Sequence, residues 1–167
     1  AANFTVQGYI KGMDPMIDPF VFIDDDRQPY IYNGGGGICK GGKLKDNMME
    51  LDGEMKTMEG LDDFHEGTWI HKYKGKYYLS YADNHDPNRN DGMDGYNCMR
   101  YAISDHPLGP WKYMGIYMKP SDCFTNQGSI VEYKGEWFAF YHTTSLSKNP
   151  ALRSICVDRL YHNEDGT

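Results

Sequence analysis

Three stretches of the chain repeat one pattern of apolar and polar positions. DPFVFIDDDRQPYIY begins at Asp18, EGTWIHKYKGKYYLSY at Glu66 and NQGSIVEYKGEWFAFY at Asn126. In each, a polar residue precedes a short run of aromatic and β-branched residues, a turn follows, and a second aromatic run returns. That is the signature of a β-hairpin. Tyr30, Tyr78 and Phe138 take the matching place in the returning run. The starts lie 48 and then 60 residues apart, near or somewhat above the repeat of four-stranded propeller blades.

Further strand patterns fill the intervals. NCMRYAIS and WKYMGIYM flank the turn DHPLGP, whose prolines and glycine punctuate strongly. LRSICVDRLY alternates apolar and polar and ends at the turn-like HNEDG. LKDNMMELDGEM comes nearest to an amphipathic helix, and Gly53 interrupts it. NGGGGICKGG lacks the lysine-serine or lysine-threonine ending of a phosphate-binding loop and reads as a flexible loop beside a site. The fold class expected is all-β, a partial five-bladed propeller of about three blades, near 16–60, 61–120 and 121–167. Three blades do not close a ring, so the sequence reads as part of a larger propeller.

Composition narrows the functions. Hydrophobic residues make up 40% of the 167, which suits a packed core. The formal charge of −7 argues against nucleic acid, whose phosphates reward a basic face. No apolar run reaches the roughly 20 residues of a membrane span, and the opening AANFTVQGYIKG shows no signal-peptide pattern. No compartment is indicated. Cys39, Cys98, Cys123 and Cys156 form neither a zinc pattern nor a disulfide framework and are expected as buried thiols.

Five segments in order, IDPFVFIDDD…YIYNGG, HEGTWIHKYKGKYYLSY, YAISDHPLGPW, NQGSIVEYKGEWFAFYH and RSICVDRLYHNEDGT, resemble the second half of glycoside hydrolase family 43. The resemblance runs over roughly Gly8 to Thr167. It implies a five-bladed propeller whose innermost strands carry the active site. It also implies xylosides or arabinofuranosides of plant hemicellulose as substrates, a xylo- or arabino-oligosaccharide as partner, and no required cofactor. The family inverts the anomeric centre with three carboxylates: an aspartate that activates water, a glutamate that protonates the leaving oxygen, and a second aspartate that tunes and orients the acid. By motif, Glu66 in HEGTW resembles the general acid and Asp18 in IDPFVF the tuning aspartate, while Arg153 in LRSICVD resembles the arginine that reaches the sugar. A carboxylate at the inner end of a blade faces low dielectric and like charges, which favour the protonated form an acid catalyst needs.

Read without the family, Glu66 is a solvated strand-end charge, Asp18 a turn residue before proline, and Arg153 a surface ion pair. Phe64 and Trp69 pack in the core or stack on sugar, and Trp111 and Trp137 read as blade core. Asp24, Asp25 and Asp26 read as a charged turn ahead of a calcium loop, since the spacing of an EF-hand is absent. The family's base belongs to a blade that the matching segments do not include. Asp14 in MDPM is the weak candidate base, expected on one extended strand with Asp18 at roughly 13 Å. Where relatives often carry a histidine near the axis that helps hold calcium or water, this chain has Gln127. Calcium is thereby weakened, and Gln127 becomes a candidate sugar contact. Open blade edges predict a homo-oligomer. The alternative function is a non-catalytic carbohydrate-binding half-propeller; a third is a structural fragment with no sugar affinity.

Overall fold

The computed structural model describes residues 3–123, 125–149 and 151–167. Among them run β1 (Phe20–Ile23), β2 (Pro29–Gly35), β3 (Ile38–Lys43), β4 (Lys56–Thr57), β5 (Phe64–Tyr73), β6 (Lys76–Asp83), β7 (Met99–Ser104), β8 (Lys112–Met118), β9 (Ser129–Tyr133), β10 (Glu136–Thr143) and β11 (Ser154–Leu160), with no helix among the described residues. They make three antiparallel sheets ordered as the chain runs, β1-β2-β3-β4, β5-β6-β7-β8 and β9-β10-β11. The meander within each sheet is that of a propeller blade, and each sheet opens with one of the three hairpins expected from the pattern.

Turn chemistry explains the hairpins. In YKGK and YKGE both turn residues are left-handed, Lys74 (φ 47) with Gly75 (φ 78) and Lys134 (φ 54) with Gly135 (φ 82). Such turns match the twist of the strands they join. The first hairpin closes more widely. Asp24 N–H donates to the Gln28 carbonyl at 3.1 Å, and Arg27 sits at a left-handed φ of 70. Its acidic turn also ties the first sheet to the second: Lys72 Nζ reaches Asp24 Oδ1 at 2.6 Å and Asp25 Oδ2 at 2.8 Å, and Tyr77 donates to Asp24. Burial pushes the Asp24 carboxyl up, but the hydrogen bonds from Lys72 and Tyr77 outweigh it and hold the group below its usual value.

Two expectations are corrected here. The glycine-rich stretch is ordered hairpin: Gly36 (φ 61) and Gly37 (φ 92) turn β2 into β3. Glycine is needed because rings lie against this backbone; a Cβ on Gly41 would stand 2.8 Å from Tyr32 Cδ1. Residues 14–18 do not form one extended strand either. The chain bends at Pro15 and Ile17, with Met16 N–H donating to the Asp14 carbonyl at 2.8 Å, and Asp18 takes a left-handed φ of 52.

The seams between sheets differ. Between the first and second lies the core, with Tyr30, Tyr32, Met58, Phe64, Leu79, Tyr81 and Trp111 buried together. Accordingly β2 and β6, the second strands of their sheets, are buried on both faces almost throughout. Between the second and third sheets a cavity of about 530 Å³ remains, walled by Tyr78, Tyr101, Tyr117, Tyr141 and Ile130. Trp137 lies at this seam, half-buried against His71 and His162. Cys39, Cys98 and Cys123 are buried and Cys156 half-buried, with no disulfide among the described residues. No described helix is long and apolar enough to cross a membrane.

Candidate active site

The innermost strands β1, β5 and β9 lie side by side at the same height. The Phe20 ring packs on Trp69 with centroids 4.2 Å apart, and Trp69 Nε1 donates to the Ile130 carbonyl at 2.8 Å. One level up, a Cβ on Gly67 would stand 3.1 Å from Gln127 Cγ. Asp18, Glu66 and Gln127 therefore cap the same end of three adjoining strands. Trp69 is the spacer that fixes this arrangement, joined to both neighbouring sheets. Of the two readings of Phe64, the structure gives core packing and not the sugar contact: it is 4% exposed and packed on Tyr81 with ring centroids 5.4 Å apart.

Three connections rim this end. The turn at Gly36–Gly37 follows Gly35, where a Cβ would stand 2.9 Å from the side chain of Ile17, beside Asp18. The long connection after β6 starts beside Glu66, because Glu66 pairs with Ala82 and Phe64 with Asp83. The connection from β10 to β11 brings Arg153 back, where its guanidinium donates to Thr125 Oγ1, two residues from Gln127. His142 lies 2.6 Å from the carbonyl of the same Thr125. Burial pushes the His142 imidazole below its usual value, against the pull of that carbonyl, and the charge of Arg153 adds to the depression. Asp14 is engaged otherwise: its carboxylate pairs with Lys40 Nζ at 2.5 Å, and its carbonyl accepts from Asn33 Nδ2 at 2.9 Å.

The end of β5 is irregular where the candidate acid sits. The pairing to β6 slips between Phe64 and Glu66 and again between Glu66 and Trp69, and Gly67 takes φ 75. Bulges re-aim side chains and recur beside active sites. Asp18, held left-handed at a cost of order 1 kcal/mol for a non-glycine residue, is a second strained position at the same end.

Sequence reasoning missed the network that braces this end. Asp83 is fully buried and accepts from Cys98 N–H at 2.7 Å, His85 N–H at 2.9 Å and Arg100 Nε at 2.6 Å. Arg100 also pairs with Asp62 and lies 3.4 Å from Asp63, which itself pairs with Arg89 in the long connection. Its members sit far apart in sequence with no motif spacing; the adjacent aspartates at 62 and 63 are the one local signal.

The chain matches Glycosyl hydrolases family 43 over residues 1–167. A β-xylosidase of Xylanibacter ruminicola is 33% identical over 95% of this chain and 60% of that enzyme. An arabinoxylan arabinofuranohydrolase of Paenibacillus polymyxa is 32% identical over 95% of this chain and 28% of its own length. The chain belongs to glycoside hydrolase family 43. Among solved family-43 structures, a β-xylosidase/α-arabinofuranosidase from a compost metagenome, in complex with xylotriose and in calcium-free form, superposes with a TM-score of 0.82. It is 33% identical, over 95% of this chain and 58% of that one. A Xanthomonas citri family-43 enzyme complexed with xylose gives 0.79 at 30% identity, over 91% and 55%. The chain thus spans between 28% and 60% of the lengths of these enzymes, and 55–58% of the two solved structures; its three sheets are part of a five-bladed propeller. The family resemblance admits calcium near Gln127. Among the described residues no three His, Cys, Asp or Glu side chains gather where they could hold a metal, and Gln127 lies exposed against Gly67 and offers a single amide oxygen.

Proposed function

We propose that this chain supplies the general acid and its tuning aspartate to an inverting glycosidase acting on xylosides or arabinofuranosides. The observation that carries this reading is the common height of Asp18 and Glu66 at the ends of adjoining inner strands, locked by the contact of Phe20 with Trp69. Glu66 donates its proton to the glycosidic oxygen as that bond breaks. Asp18 orients the acid, and Arg153 and Gln127 hold sugar hydroxyls. Inversion then needs a base roughly 6.5–9.5 Å from the acid, with a water between. Asp14 is the weak candidate for that base; its ion pair with Lys40 favours the second reading, a sugar-binding propeller portion without turnover.

Replacing Glu66 with glutamine tests the assignment on xylobiose and on aryl xylosides or arabinofuranosides. Loss of a positioned acid lowers kcat by about 10²–10⁴-fold on xylobiose. Unchanged turnover by Glu66→Gln excludes Glu66 as the acid. Binding of xylo-oligosaccharides by calorimetry, with no turnover by the parent chain, selects the second reading.

A further inference from the structure

His65 has no part in the family's carboxylate chemistry, yet the structure sets it against Glu66. In a regular strand, neighbouring side chains point to opposite faces. Here two residues of β5, from Phe64 to Glu66, advance against one of β6, from Asp83 to Ala82, so His65 is the extra residue of a bulge. The bulge breaks the alternation, and His65 Nε2 lies 3.8 Å from Glu66 Oε2, with the two side chains 35% and 22% exposed. The other ring nitrogen, Nδ1, is buried without a hydrogen-bond partner.

That asymmetry selects a tautomer. A neutral imidazole carries one N–H. Placed on Nδ1, it would be a buried orphan donor, a rarer and costlier situation than an orphan acceptor. Placed on Nε2, it points toward the Glu66 carboxyl. We infer that His65 is a positioning residue for the general acid: its Nε2–H engages Glu66 Oε2 and leaves Oε1 to carry the proton delivered to the leaving group. The separation of 3.8 Å exceeds a hydrogen bond by less than an ångström, and such contacts commonly tighten when substrate binds. His65 neither gains nor loses a proton in this role; the proton passes from Glu66 Oε1 to the glycosidic oxygen.

The inference rests on Glu66 being the acid, and its test separates the two. A 2,4-dinitrophenyl leaving group departs without protonation, whereas the glycosidic oxygen of xylobiose needs an acid. His65→Leu is expected to lower kcat on xylobiose by about tenfold or more, with KM and turnover of the dinitrophenyl xyloside changed by less than about threefold. His65→Gln keeps an N–H donor near the place of Nε2 and is expected to recover most of the loss. Equal losses on both substrates, no loss on either, or failure of His65→Gln to recover activity would overturn the inference. A readout that needs no turnover is the long-range ¹H–¹⁵N spectrum near neutral pH. The Nε2–H tautomer of His65 is expected, and an Nδ1–H tautomer overturns the proposal even if Glu66 is the acid.

Discussion

Asp83 shows how single residues hold the site end together. Its carboxylate is wholly buried and has three donors, two backbone N–H groups and Arg100 Nε, so its charge is matched in place. Arg100 extends the pairing outward to Asp62 and Asp63 and touches Tyr113 Oη at 3.0 Å. Breaking a buried pair from one side leaves an uncompensated charge and costs about 3–5 kcal/mol, a large share of a domain's total stability. Arg100→Met is therefore expected to lower the stability measured by urea unfolding by about 3 kcal/mol. Arg100→Lys should recover only part, since an ammonium cannot reproduce the guanidinium fork. A loss below about 1 kcal/mol in Arg100→Met would mean that the backbone donors alone satisfy Asp83. Gly67 is the other residue whose backbone favours its identity: at φ 75 a side chain is strained, and Gln127 Cγ, 3.1 Å from where a Cβ would stand, would have to give by a few tenths of an ångström. Nothing in the sequence pattern singled that glycine out. The Asp83–Arg100 pair was not readable either, because what joins those residues is the register of β6 on β7.

Among the elements, the three hairpins were legible because their signals are local: period-two alternation and turn residues able to take positive φ. The glycine-rich stretch misled for the same reason. Its glycines mark a tight turn and close approach of rings to backbone, and the rings belong to other strands, so composition alone reads as flexibility. The packing of segment 161–167 on the second sheet was likewise invisible. His162 stacks on Tyr73 at 4.0 Å, its Nε2 lies 3.1 Å from His71 Nε2, and the Gly166 carbonyl accepts from Tyr78 Oη at 3.0 Å. Burial, with neighbouring His162 adding to it, pushes His71 down to about 3, and burial with Lys74 nearby lowers His162. Lys74 is the charged group acting on the pair from the β5–β6 turn. Above about pH 6.5 these rings are neutral folded or unfolded, and their packing contributes in full. As pH falls below that, the unfolded chain takes up protons that the folded His71 refuses until about pH 3, so stability declines across that window. Between pH 7.5 and 5 the loss should be on the order of 1–2 kcal/mol by chemical denaturation. His71→Phe keeps a ring beside Tyr78, stacked at 4.9 Å in the parent, and is expected to flatten the dependence; an unchanged slope would assign it to other groups.

On the scale of the whole molecule, the third sheet is the exposed one. Its inner face meets the second sheet across a cavity, and its outer face has no described element against it. Phe140 pairs with Val157 and His142 with Ile155 across β10 and β11, which puts these side chains on one face. Phe140 is 39% exposed, Val157 50%, Ile155 85% and the nearby Tyr133 61%. Beyond β11 no described strand continues the sheet, so a row of backbone donors and acceptors lies open beside this apolar face. Contiguous apolar surface joined to an open edge is the combination that natural sheets guard with charge or cover with another element. For this chain taken by itself, we propose that a second copy supplies the cover. At 100 µM, light scattering coupled to size exclusion should give a mass above that of one chain, falling toward the monomer on dilution. Ile155→Lys combined with Val157→Lys places two charges on the open strand and should shift the equilibrium to monomer. Both positions are solvent-exposed, so the unfolding midpoint should stay within a few degrees. A parent chain that remains monomeric at 100 µM overturns this expectation. Association that survives the double substitution would move the interface away from β11 and toward the first sheet, where Val21, Ile23 and Ile38 are also exposed.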